Sequence, residues 1–408
     1  MVNVVGLGYI GLPTALMFAT HGVTIVGTDY NKNLVETLNA GHTTFKEEGL
    51  DELFEKAVAS GITFTTDYRA CDTYIVSVPT PYDKQTKKID PQYVVAAVET
   101  ILGIAPDDAT IVIESTVSPG TIDKHVRPLV DSHERETGRR VHLAHAPERI
   151  IPGNMVSELL HNNRTIGVDD LAIGESVKDL YASFCQGDIV VTDIRTAEMS
   201  KVVENTYRDI NIAYANELQK ICRSDGVDVH EIIRIANKHP RVNILSPGPG
   251  VGGHCISVDP WFLVGDYPEL ANIIRMARAI NDSMPDYVLE RAYEIMKEND
   301  IVDSSKVGIY GLTYKANVDD IRESPTLQML EIMERHLCSG VNKIYDPWIE
   351  EDVVPGQVHT LAAFVDGLEM IIVMVGHSQV ADNPAIFGDV ILLDCCNVCG
   401  EGEKIYKL

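Results

Sequence analysis

Basic residues are scarce in this chain. Of its 408 residues, 34 are Lys or Arg and 60 are Asp or Glu, so the formal net charge is −26. Nucleic acid and anionic membrane surfaces are bound through clustered Lys and Arg, and this balance therefore argues against both as partners. A polyanionic ligand would require the few basic side chains to be concentrated around it, which makes their positions informative.

An export signal and a long apolar run are also missing. The sequence opens MVNVVGLGYIG, without the charged and continuous apolar regions of a signal peptide. No stretch reaches the roughly 20 apolar residues of a membrane span. We therefore expect a cytoplasmic protein that has no membrane partner.

Cysteine occurs eight times, but not at the spacing of a zinc site. The segment DCCNVC (Cys395, Cys396 and Cys399) contains one Cys-x-x-C, and no second Cys pair or His pair accompanies it. Scattered cysteines in a cytoplasmic chain are typically buried small side chains and not disulfides. We expect no metal site and no disulfide.

The length and the hydrophobic fraction of 45% fit two or three folded domains. Over residues 1–193, β-branched runs such as VNVVGLG, VTIVGTD and TIVIEST alternate with helical patterns, which predicts an α/β unit with a parallel sheet. Residues 194–297 show only long helical patterns, such as TAEMSKVVENTYRDINIAYANELQKICRSDG, which ends at Gly226. Residues 298–408 return to the α/β pattern, with apolar runs such as MIIVMVGH and VILLDC and helical stretches such as PTLQMLEIMERHLCSG. We predict an α/β protein of three domains, in which the two α/β units could be distant structural copies.

The first strand leads into a dinucleotide-binding pattern. VNVVGL is followed by Gly6, Gly8 and Gly11, then by a helical stretch and a second strand that ends at Asp29. The glycines allow a tight turn, approach of a pyrophosphate and close helix packing, and the acid would take the ribose hydroxyls. A carboxylate there repels a 2′-phosphate, which favours NAD over NADP despite the nearby Lys32. The alternative is a glycine-rich turn without a ligand.

A second glycine-rich segment precedes a cysteine. SPGPGVGGHCISVDPWFL places Cys255 after several glycines and Asp259 four residues later. Glycines would let a substrate carbon approach the thiol, and a following helix N-terminus would favour the thiolate. Cys255 could then attack an aldehyde. Alternatively, the thiol is buried and inert, and Asp259 with Pro260 only begins a helix.

In the middle helical region, EMSKVVENTY places Lys201 and Asn205 four residues apart. Both side chains then project from one helix face, where an ammonium and an amide can stabilise an oxyanion. The alternative is a solvated Lys on an amphipathic helix.

Two loops at predicted strand ends carry further polar side chains. IESTVSPGT contains Ser115 and Thr116, and AHAPERIIPG contains Glu148. Doubly wound sheets bind ligands outside the carboxyl ends of their strands, where a hydroxyl and a carboxylate could handle protons and water. Alternatively, both loops are only turns built around Pro and Gly.

Six blocks together resemble one enzyme family. GLGYIGLP, ESTVSPGT, APER, SKVVENTYR, VGGHCISVDP and GLTYKANVDDIRESP follow the order of the UDP-glucose/GDP-mannose dehydrogenase family from Gly6 to about Ser324. The resemblance implies an N-terminal Rossmann-type NAD domain, a central helical dimerisation domain and a C-terminal α/β domain that binds a UDP-sugar. It also implies that the C6 alcohol of the sugar is oxidised to a carboxylate, with two NAD consumed.

The resemblance assigns roles by position. In the implied chemistry, a thiol captures the aldehyde, a Lys and an Asn hold the oxyanion, an Asp and a Thr position water, and a Glu is the general acid/base: Cys255, Lys201, Asn205, Asp259, Thr116 and Glu148. The implied cofactor contacts are Gly6, Gly8, Tyr9, Ile10, Gly11, Asp29, Thr80, Thr116 and Arg322. The implied substrate contacts are Glu148, Arg149, Lys201, Asn205, Arg208, Arg241, Gly252, Tyr314 and Lys315. Arg241 is implied to reach the partner's site, which requires a homodimer or a higher homo-oligomer.

The residues next to the expected nucleophile narrow the choice of substrate. Gly-Gly-His254-Cys255 stands where the glucose-type branch usually has Gly-Gly-Ser-Cys, and the sequence is closer to the branch acting on UDP-N-acetylmannosamine or UDP-N-acetylglucosamine. We expect UDP-N-acetylmannosamine, although no residue spacing reveals the stereochemistry at C2. His254 could be only a packing residue. DCCNVC departs from the Thr and Arg that the family more often has before the Asn, so no role is assigned to that turn.

Two rival functions remain. A single-oxidation dehydrogenase of the 3-hydroxyacid type shares the first domain and a helical second domain, but has no need of Cys255. A non-catalytic nucleotide-sugar or NAD sensor would need none of the acyl-transfer residues.

Overall fold

The computed structural model describes residues 1–253, 255–335 and 342–408. His254 and Cys338, with the end of the predicted helix PTLQMLEIMERHLCSG, lie outside the described residues. The chain divides into two compact units, residues 1–204 with 265–267 and residues 205–264 with 268–408. The predicted α/β fold class is confirmed, since each unit contains a sheet covered by helices.

The strands of the first unit form one sheet. In chain order they are β1 (Val2–Val5), β2 (Ile25–Thr28), β3 (Thr63–Thr65), β4 (Thr73–Val76), β5 (Ala109–Ile113), β6 (Val141–His145), β7 (Arg164–Val168) and β8 (Ile189–Thr192). Their spatial order is β3-β2-β1-β4-β5-β6-β7-β8. The central strands are continuously buried, as expected for a sheet covered on both faces, which explains their unbroken apolar runs.

Helices pack around this sheet. They are α1 (Gly11–Thr20), α2 (Lys32–Asn39), α3 (Leu50–Ala59), α4 (Gln92–Leu102), α5 (Arg127–Thr137), α6 (Met155–His161) and α7 (Leu171–Tyr181), with a π-helical turn (Ile122–Val126) before α5.

Two strands, β7 and β8, run opposite to the other six strands of the predicted parallel sheet. β7 pairs with β6 in the antiparallel direction, whereas the other neighbouring strands of this sheet are parallel. The connection over residues 146–163 holds only the short helix α6, so the chain does not cross back before β7 begins. β7 therefore starts at the edge where β6 ends, and its first residue, Arg164, lies near the loop that follows β6.

The long predicted helix of the middle region is confirmed. α8 spans Ile194–Asp225 and ends immediately before Gly226, whose φ is +68°. A left-handed glycine at this position is the common way for a helix to stop. The remaining helices of the predicted central region are α9 (Val229–Ala236), α10 (Asp259–Asp266), α11 (Asn272–Asp282) and α12 (Met284–Glu298).

The second unit contains its own parallel sheet. Its strands are β9 (Val307–Tyr310), β10 (Ile344–Tyr345), β11 (Met370–Val373), β12 (Ile391–Asp394) and β13 (Ile405–Lys407), in the spatial order β10-β9-β11-β12-β13. Its helices are α13 (Pro325–Arg335), α14 (Leu361–Val365) and α15 (Ser378–Ala381).

The two sheets begin in the same way, which supports their being distant structural copies. Gly6, with φ +88°, directly follows β1, and Gly311, with φ +96°, directly follows β9. In each unit the next amide donates to an aspartate that follows the neighbouring strand: Leu7 N to Asp29 at 2.8 Å and Leu312 N to Asp346 at 2.6 Å. In the second unit a buried Thr313 stands where the first unit has the exposed Gly8.

Two glycine substitutions separate packing from ligand access in the turn after β1. A Cβ on Gly11 would overlap the carbonyl oxygen of Gly6, whereas a Cβ on Gly8 would meet no atom within 4 Å. We expect Gly11→Ala to lower the thermal unfolding temperature, since such overpacking costs about 1–3 kcal/mol. Gly8→Ala should leave that temperature unchanged but weaken binding of the dinucleotide expected at this turn, as measured by calorimetry. Equal effects of the two changes on stability would contradict this account.

Candidate active site

The glycine turn after β1 leaves room for a ligand at one position. A Cβ on Gly6 would overlap the carbonyl oxygen of Ser77, and one on Gly11 would overlap Gly6, so both glycines are required by packing. Gly8 instead borders open space beside the start of α1. The first amides of a helix lack partners within it and attract anions, so this space fits a pyrophosphate.

The acid predicted to bind the ribose lies at this turn. Asp29 follows β2, is buried, and accepts hydrogen bonds from the amides of Leu7 and Asn31, both at 2.8 Å. A carboxylate has about four lone-pair positions, so two amides leave capacity for ribose hydroxyls. Asp29 therefore shapes the turn and still has the chemistry to hold NAD.

The other predicted cofactor residues of this unit occupy the same loops. Tyr9 stacks its ring on Phe45 with centroids 4.4 Å apart, and Ile10 immediately precedes α1. Thr80 is buried in the loop after β4. Thr116 is half-buried, two residues beyond the buried Glu114, in the loop after β5.

A buried cluster of charged side chains lies at the ends of β5 and β6. Arg164 forms an ion pair with Glu148, and its other terminal nitrogen lies 3.8 Å from Glu114. Tyr181 donates to Glu114 at 3.0 Å and lies under the guanidinium of Arg164, 4.4 Å from it. Burial, and then the neighbouring Glu148, raise the pKa of Glu114 to about 7. Arg164 thus lies between two carboxyl groups, those of Glu114 and of Glu148, the predicted general acid/base.

Arg149, a predicted substrate contact, is extensively bonded within the protein. Its Nε and Nη2 donate to the Glu204 carboxylate at 3.0 and 2.6 Å. Nη1 donates to the Asn163 carbonyl at 2.8 Å, and Nη2 donates to Thr165 Oγ1 at 3.0 Å. A guanidinium has five N–H donors, and these contacts engage four of them. Arg149 therefore has a structural role in addition to any contact with the substrate.

The predicted Lys on α8 is buried. Lys201 has 6% of its surface exposed, which is unusual for a lysine and favours a role for its charge. One turn earlier, Glu198 accepts hydrogen bonds from the amides of Ile122, at 3.0 Å, and Gly120. Burial raises the pKa of Glu198 to about 7.

In the second unit, the predicted nucleophile lies in the turn that precedes α10. Cys255 is exposed, and its carbonyl oxygen accepts the amides of Val258 at 3.1 Å and Asp259 at 2.8 Å, which closes the turn into α10. Asp259 is buried and accepts a hydrogen bond of 2.6 Å from Asn205 Nδ2. The structure therefore brings together two predicted catalytic side chains, an amide on α8 and a carboxylate four residues after the thiol.

The glycines before Cys255 have a role in packing. A Cβ on Gly252 would lie 2.6 Å from the Tyr314 Cβ and 2.6 Å from the Glu323 carbonyl oxygen. Gly253, with φ +82°, would meet the Tyr314 ring at 2.9 Å, and its amide donates to the Arg322 carbonyl at 2.9 Å. Small residues here let the loop before the thiol pack on Tyr314, a predicted substrate contact.

The basic residues predicted around the substrate vary in exposure. Arg322 donates hydrogen bonds from Nε and Nη2 to the buried carboxylate of Asp320, at distances from 2.6 to 3.1 Å. Lys315 and Arg241 are exposed, and Arg208 is half-buried. Their cationic groups suit the phosphates of a nucleotide sugar.

Sequence reasoning missed Glu114 and Arg164. In the sequence, Glu114 only follows an apolar run, in VIEST, and Arg164 only opens one, in RTIGV. Their contact depends on the antiparallel direction of β7, which the sequence pattern did not predict.

The cysteines of the DCCNVC segment are unsuited to act as nucleophiles. Burial raises the pKa of Cys399 to about 12 and the pKa values of Cys395 and Cys396 well above the ordinary range, so these thiols are poor nucleophiles. Within residues 1–253, 255–335 and 342–408, no group of three or more His, Cys, Asp or Glu side chains could hold a metal ion. Over the same ranges, every helix is too short or too polar to cross a bilayer.

Models of one enzyme family match most of this chain. The NAD binding domain of the UDP-glucose/GDP-mannose dehydrogenase family matches residues 1–185, its central domain residues 195–283 and its UDP binding domain residues 308–401.

Individual relatives agree with these matches over nearly their whole length. The UDP-N-acetyl-D-mannosamine dehydrogenase of Methanocaldococcus jannaschii is 40% identical over 425 residues, covering 100% of this chain and 96% of the relative. An NDP-N-acetyl-D-galactosaminuronic acid dehydrogenase of Ralstonia nicotianae is 39% identical over 391 residues, covering 93% and 91%. The structure of the UDP-N-acetyl-mannosamine dehydrogenase Cap5O from Staphylococcus aureus matches with a TM-score of 0.88 and 40% identity, covering 100% of this chain and 97% of that one.

The cofactor turn, its aspartate and the matched NAD binding domain agree with one another, so NAD is the cofactor and the chain is an NAD-dependent oxidoreductase. With three matched domains and identities near 40% along its length, the chain belongs to the UDP-glucose/GDP-mannose dehydrogenase family.

Proposed function

We propose that this protein oxidises the C6 alcohol of UDP-N-acetyl-D-mannosamine to the carboxylate, with two NAD consumed per sugar. The observation that carries the proposal is the thiol of the exposed residue Cys255, in the turn that leads into α10, four residues before an aspartate that is bonded to Asn205. A single-step alcohol dehydrogenase has no use for this thiol, whereas a two-step oxidation needs a nucleophile to retain the aldehyde.

The proposed reaction balances as one alcohol, two NAD⁺ and one water giving one carboxylate, two NADH and three protons. When bound, NAD accepts a hydride in each oxidation step. The first oxidation converts the alcohol to an aldehyde, and the sulfur of Cys255 adds to the aldehyde carbon to form a thiohemiacetal. Loss of a second hydride from that carbon gives a thioester. Water then cleaves the carbon–sulfur bond and releases the thiol and the acid.

The amide of Asn205 and the ammonium group of Lys201 would stabilise the charged intermediates. One N–H of Asn205 is bonded to Asp259, which fixes the plane of the amide and aims its second N–H in a defined direction. Lys201 lies one helical turn earlier on α8 and is buried, so its charge is poorly screened by water. Both are suited to hold the oxyanion formed when water or the thiol adds to the carbonyl carbon.

Carboxylate and hydroxyl side chains would activate and orient the water that hydrolyses the thioester. Glu148 is buried and held by Arg164, so its orientation is fixed before the substrate binds. We propose Glu148 as the general acid/base of the hydrolysis step, with Asp259 and Thr116 orienting the water. Because the thiol must stay reduced, the proposal also places the reaction in the cytoplasm.

The sugar identity rests on the relatives. UDP-N-acetyl-D-mannosamine is named for the Methanocaldococcus and Staphylococcus proteins, each 40% identical to this chain. The Ralstonia relative, at 39% identity, makes an N-acetylgalactosamine nucleotide the second candidate. UDP-N-acetylglucosamine and UDP-glucose remain weaker alternatives.

We propose three domains over residues 1–193, 194–297 and 298–408, and a homodimer formed through the middle one. The family-model matches, at residues 1–185, 195–283 and 308–401, fall inside these ranges and support them. On α8, Tyr207, Tyr214 and Ile221 recur every seven residues and are 60%, 53% and 53% exposed. This spacing places them along one face, which is typical of a helix that packs on a partner helix.

The count of NADH tests the substrate and the number of oxidation steps. We expect two NADH per UDP-N-acetylmannosamine consumed, and little turnover of the N-acetylgalactosamine, N-acetylglucosamine or glucose nucleotides. Absorbance at completion, with the sugar limiting, gives the count. Two NADH with another sugar would change only the substrate, and one NADH would contradict the thioester route.

The thiol is tested by Cys255→Ser. A hydroxyl is a much weaker nucleophile at neutral pH, so we expect acid formation to fall by at least about 100-fold while NAD binding is retained. Cys396→Ser, the same change at a half-buried thiol of the second unit, is the control and should keep wild-type rates. Acid formation at full rate by Cys255→Ser would favour a dehydrogenase of the 3-hydroxyacid type.

The proposed reach of Arg241 across a dimer is tested by subunit mixing. Arg241→Gln and Cys255→Ser homodimers should each be nearly inactive. A mixed dimer would contain one site with both the native Arg241 and the native Cys255, so random exchange should restore about a quarter of wild-type activity. No recovery after verified exchange would show that Arg241 acts within its own subunit.

A further inference from the structure

Two acidic side chains of α8 lie on either side of Lys201 along the helix. Glu198 is three residues before it and Glu204 three residues after it. At about 100° per residue, each acid is rotated roughly 60° from the lysine, in opposite directions around the helix axis. Each acid bonds to a different loop of the first unit. One loop follows β5 and carries Thr116, and the other follows β6 and carries Glu148, which are both proposed catalytic side chains.

The first attachment is to the loop after β5. Glu198 is 1% exposed and accepts the amides of Gly120 and Ile122. Only three residues separate Gly120 from Thr116, which we propose to orient water. A short segment leaves few conformations, so the bond to Glu198 restricts where Thr116 can lie relative to α8.

The second attachment is to the loop after β6. Glu204 accepts hydrogen bonds from Nε and Nη2 of Arg149, at 3.0 and 2.6 Å. Arg149 directly follows Glu148, and its amide donates to the Glu148 carboxylate at 2.7 Å. Arg149 also bonds to Asn163 and Thr165, which flank the start of β7. Glu148 is therefore attached to α8 through its neighbour and to β7 through Arg164.

We propose that Glu198 and the Arg149–Glu204 pair are positioning residues, which set the placement of the Thr116 and Glu148 loops against the Lys201-bearing turn of α8. The inference rests on the proposed function, because it assigns no reaction of its own. Misplacing a reacting group by about 1 Å can cost on the order of 100-fold in rate. An isolated, exposed ion pair would instead contribute little to the stability of the protein.

This assignment differs from a direct role of Arg149 in substrate binding. Four of its five N–H donors already bond to protein atoms, and the bidentate pair with Glu204 fixes the guanidinium plane. A substrate contact predicts that the loss of Arg149 raises KM for the sugar. A positioning role predicts that the loss of either partner lowers kcat.

A double-mutant cycle distinguishes the two roles. We expect Glu204→Gln and Arg149→Gln each to lower kcat about 10-fold or more, with KM for NAD and for the sugar changed less than 3-fold. The double variant should be no slower than the slower single variant, because the pair is already broken in each. Arg149→Lys should recover only part of the rate, since lysine cannot make the bidentate contact.

The matched control is Asp169→Asn. Asp169 also accepts a bidentate contact, from Nη1 and Nη2 of Arg127 at 2.7 and 3.1 Å, on the surface of the same unit. It should keep the wild-type kcat while changing the unfolding temperature about as much as Glu204→Gln does. Unchanged kcat in Glu204→Gln, together with a raised sugar KM in Arg149→Gln, would overturn the proposal.

The outcome is separable from that of the proposed function. Rates are measured on whichever nucleotide sugar the wild type oxidises, and the wild-type count of NADH is recorded with them. A wrong sugar or a single hydride transfer in the wild type contradicts the proposed function. Wild-type kcat in the Glu204 variant, with the wild type still producing two NADH, contradicts only the positioning role.

Discussion

Parallel strands deliver all their carboxyl ends to one edge of a sheet, and the chemistry of the first unit depends on this constraint. The loops that leave this edge carry nearly every residue assigned a role in that unit: Gly6 and Gly8 after β1, Asp29 after β2, Thr80 after β4, Glu114 and Thr116 after β5, and Glu148 after β6. The antiparallel β7 adds to the same edge, because it begins there and supplies Arg164 to Glu148. A fully parallel sheet would have placed the first residue of β7 at the opposite edge.

The second unit starts from a similar strand–glycine–aspartate arrangement but uses it differently. Asp346 accepts amides of the turn after β9, as Asp29 does after β1. Thr313 is buried where Gly8 is exposed, so that turn presents a side chain where the first unit presents open space. Its proposed reactive group, Cys255, comes from another segment, which precedes α10, and Asp259 in that helix is bonded to Asn205 of α8. Related frameworks can thus hold different chemistry.

Local patterns predicted much of this architecture. The alternation of apolar runs gave the main strands, the glycine spacing gave the turn after β1, and the helix pattern ending at Gly226 gave the end of α8. The ion pair of Arg164 with Glu148 could not be predicted, since it depends on the direction of one strand. Nor could the bonding of Arg149 to Glu204, 55 residues away, or the packing of Gly252 on Tyr314. Such contacts join distant segments, and periodicity carries no information about them.

The central claim is that the sugar becomes covalently attached to Cys255. The most direct measurement is mass spectrometry of Glu148→Gln, acid-quenched during turnover with NAD and the UDP-sugar, since loss of the general base should slow hydrolysis and accumulate the thioester. The account predicts an acyl adduct of the nucleotide sugar on the peptide that contains Cys255, absent when NAD is omitted. Release of acid by this variant at the wild-type rate, with no adduct on that peptide, would contradict it.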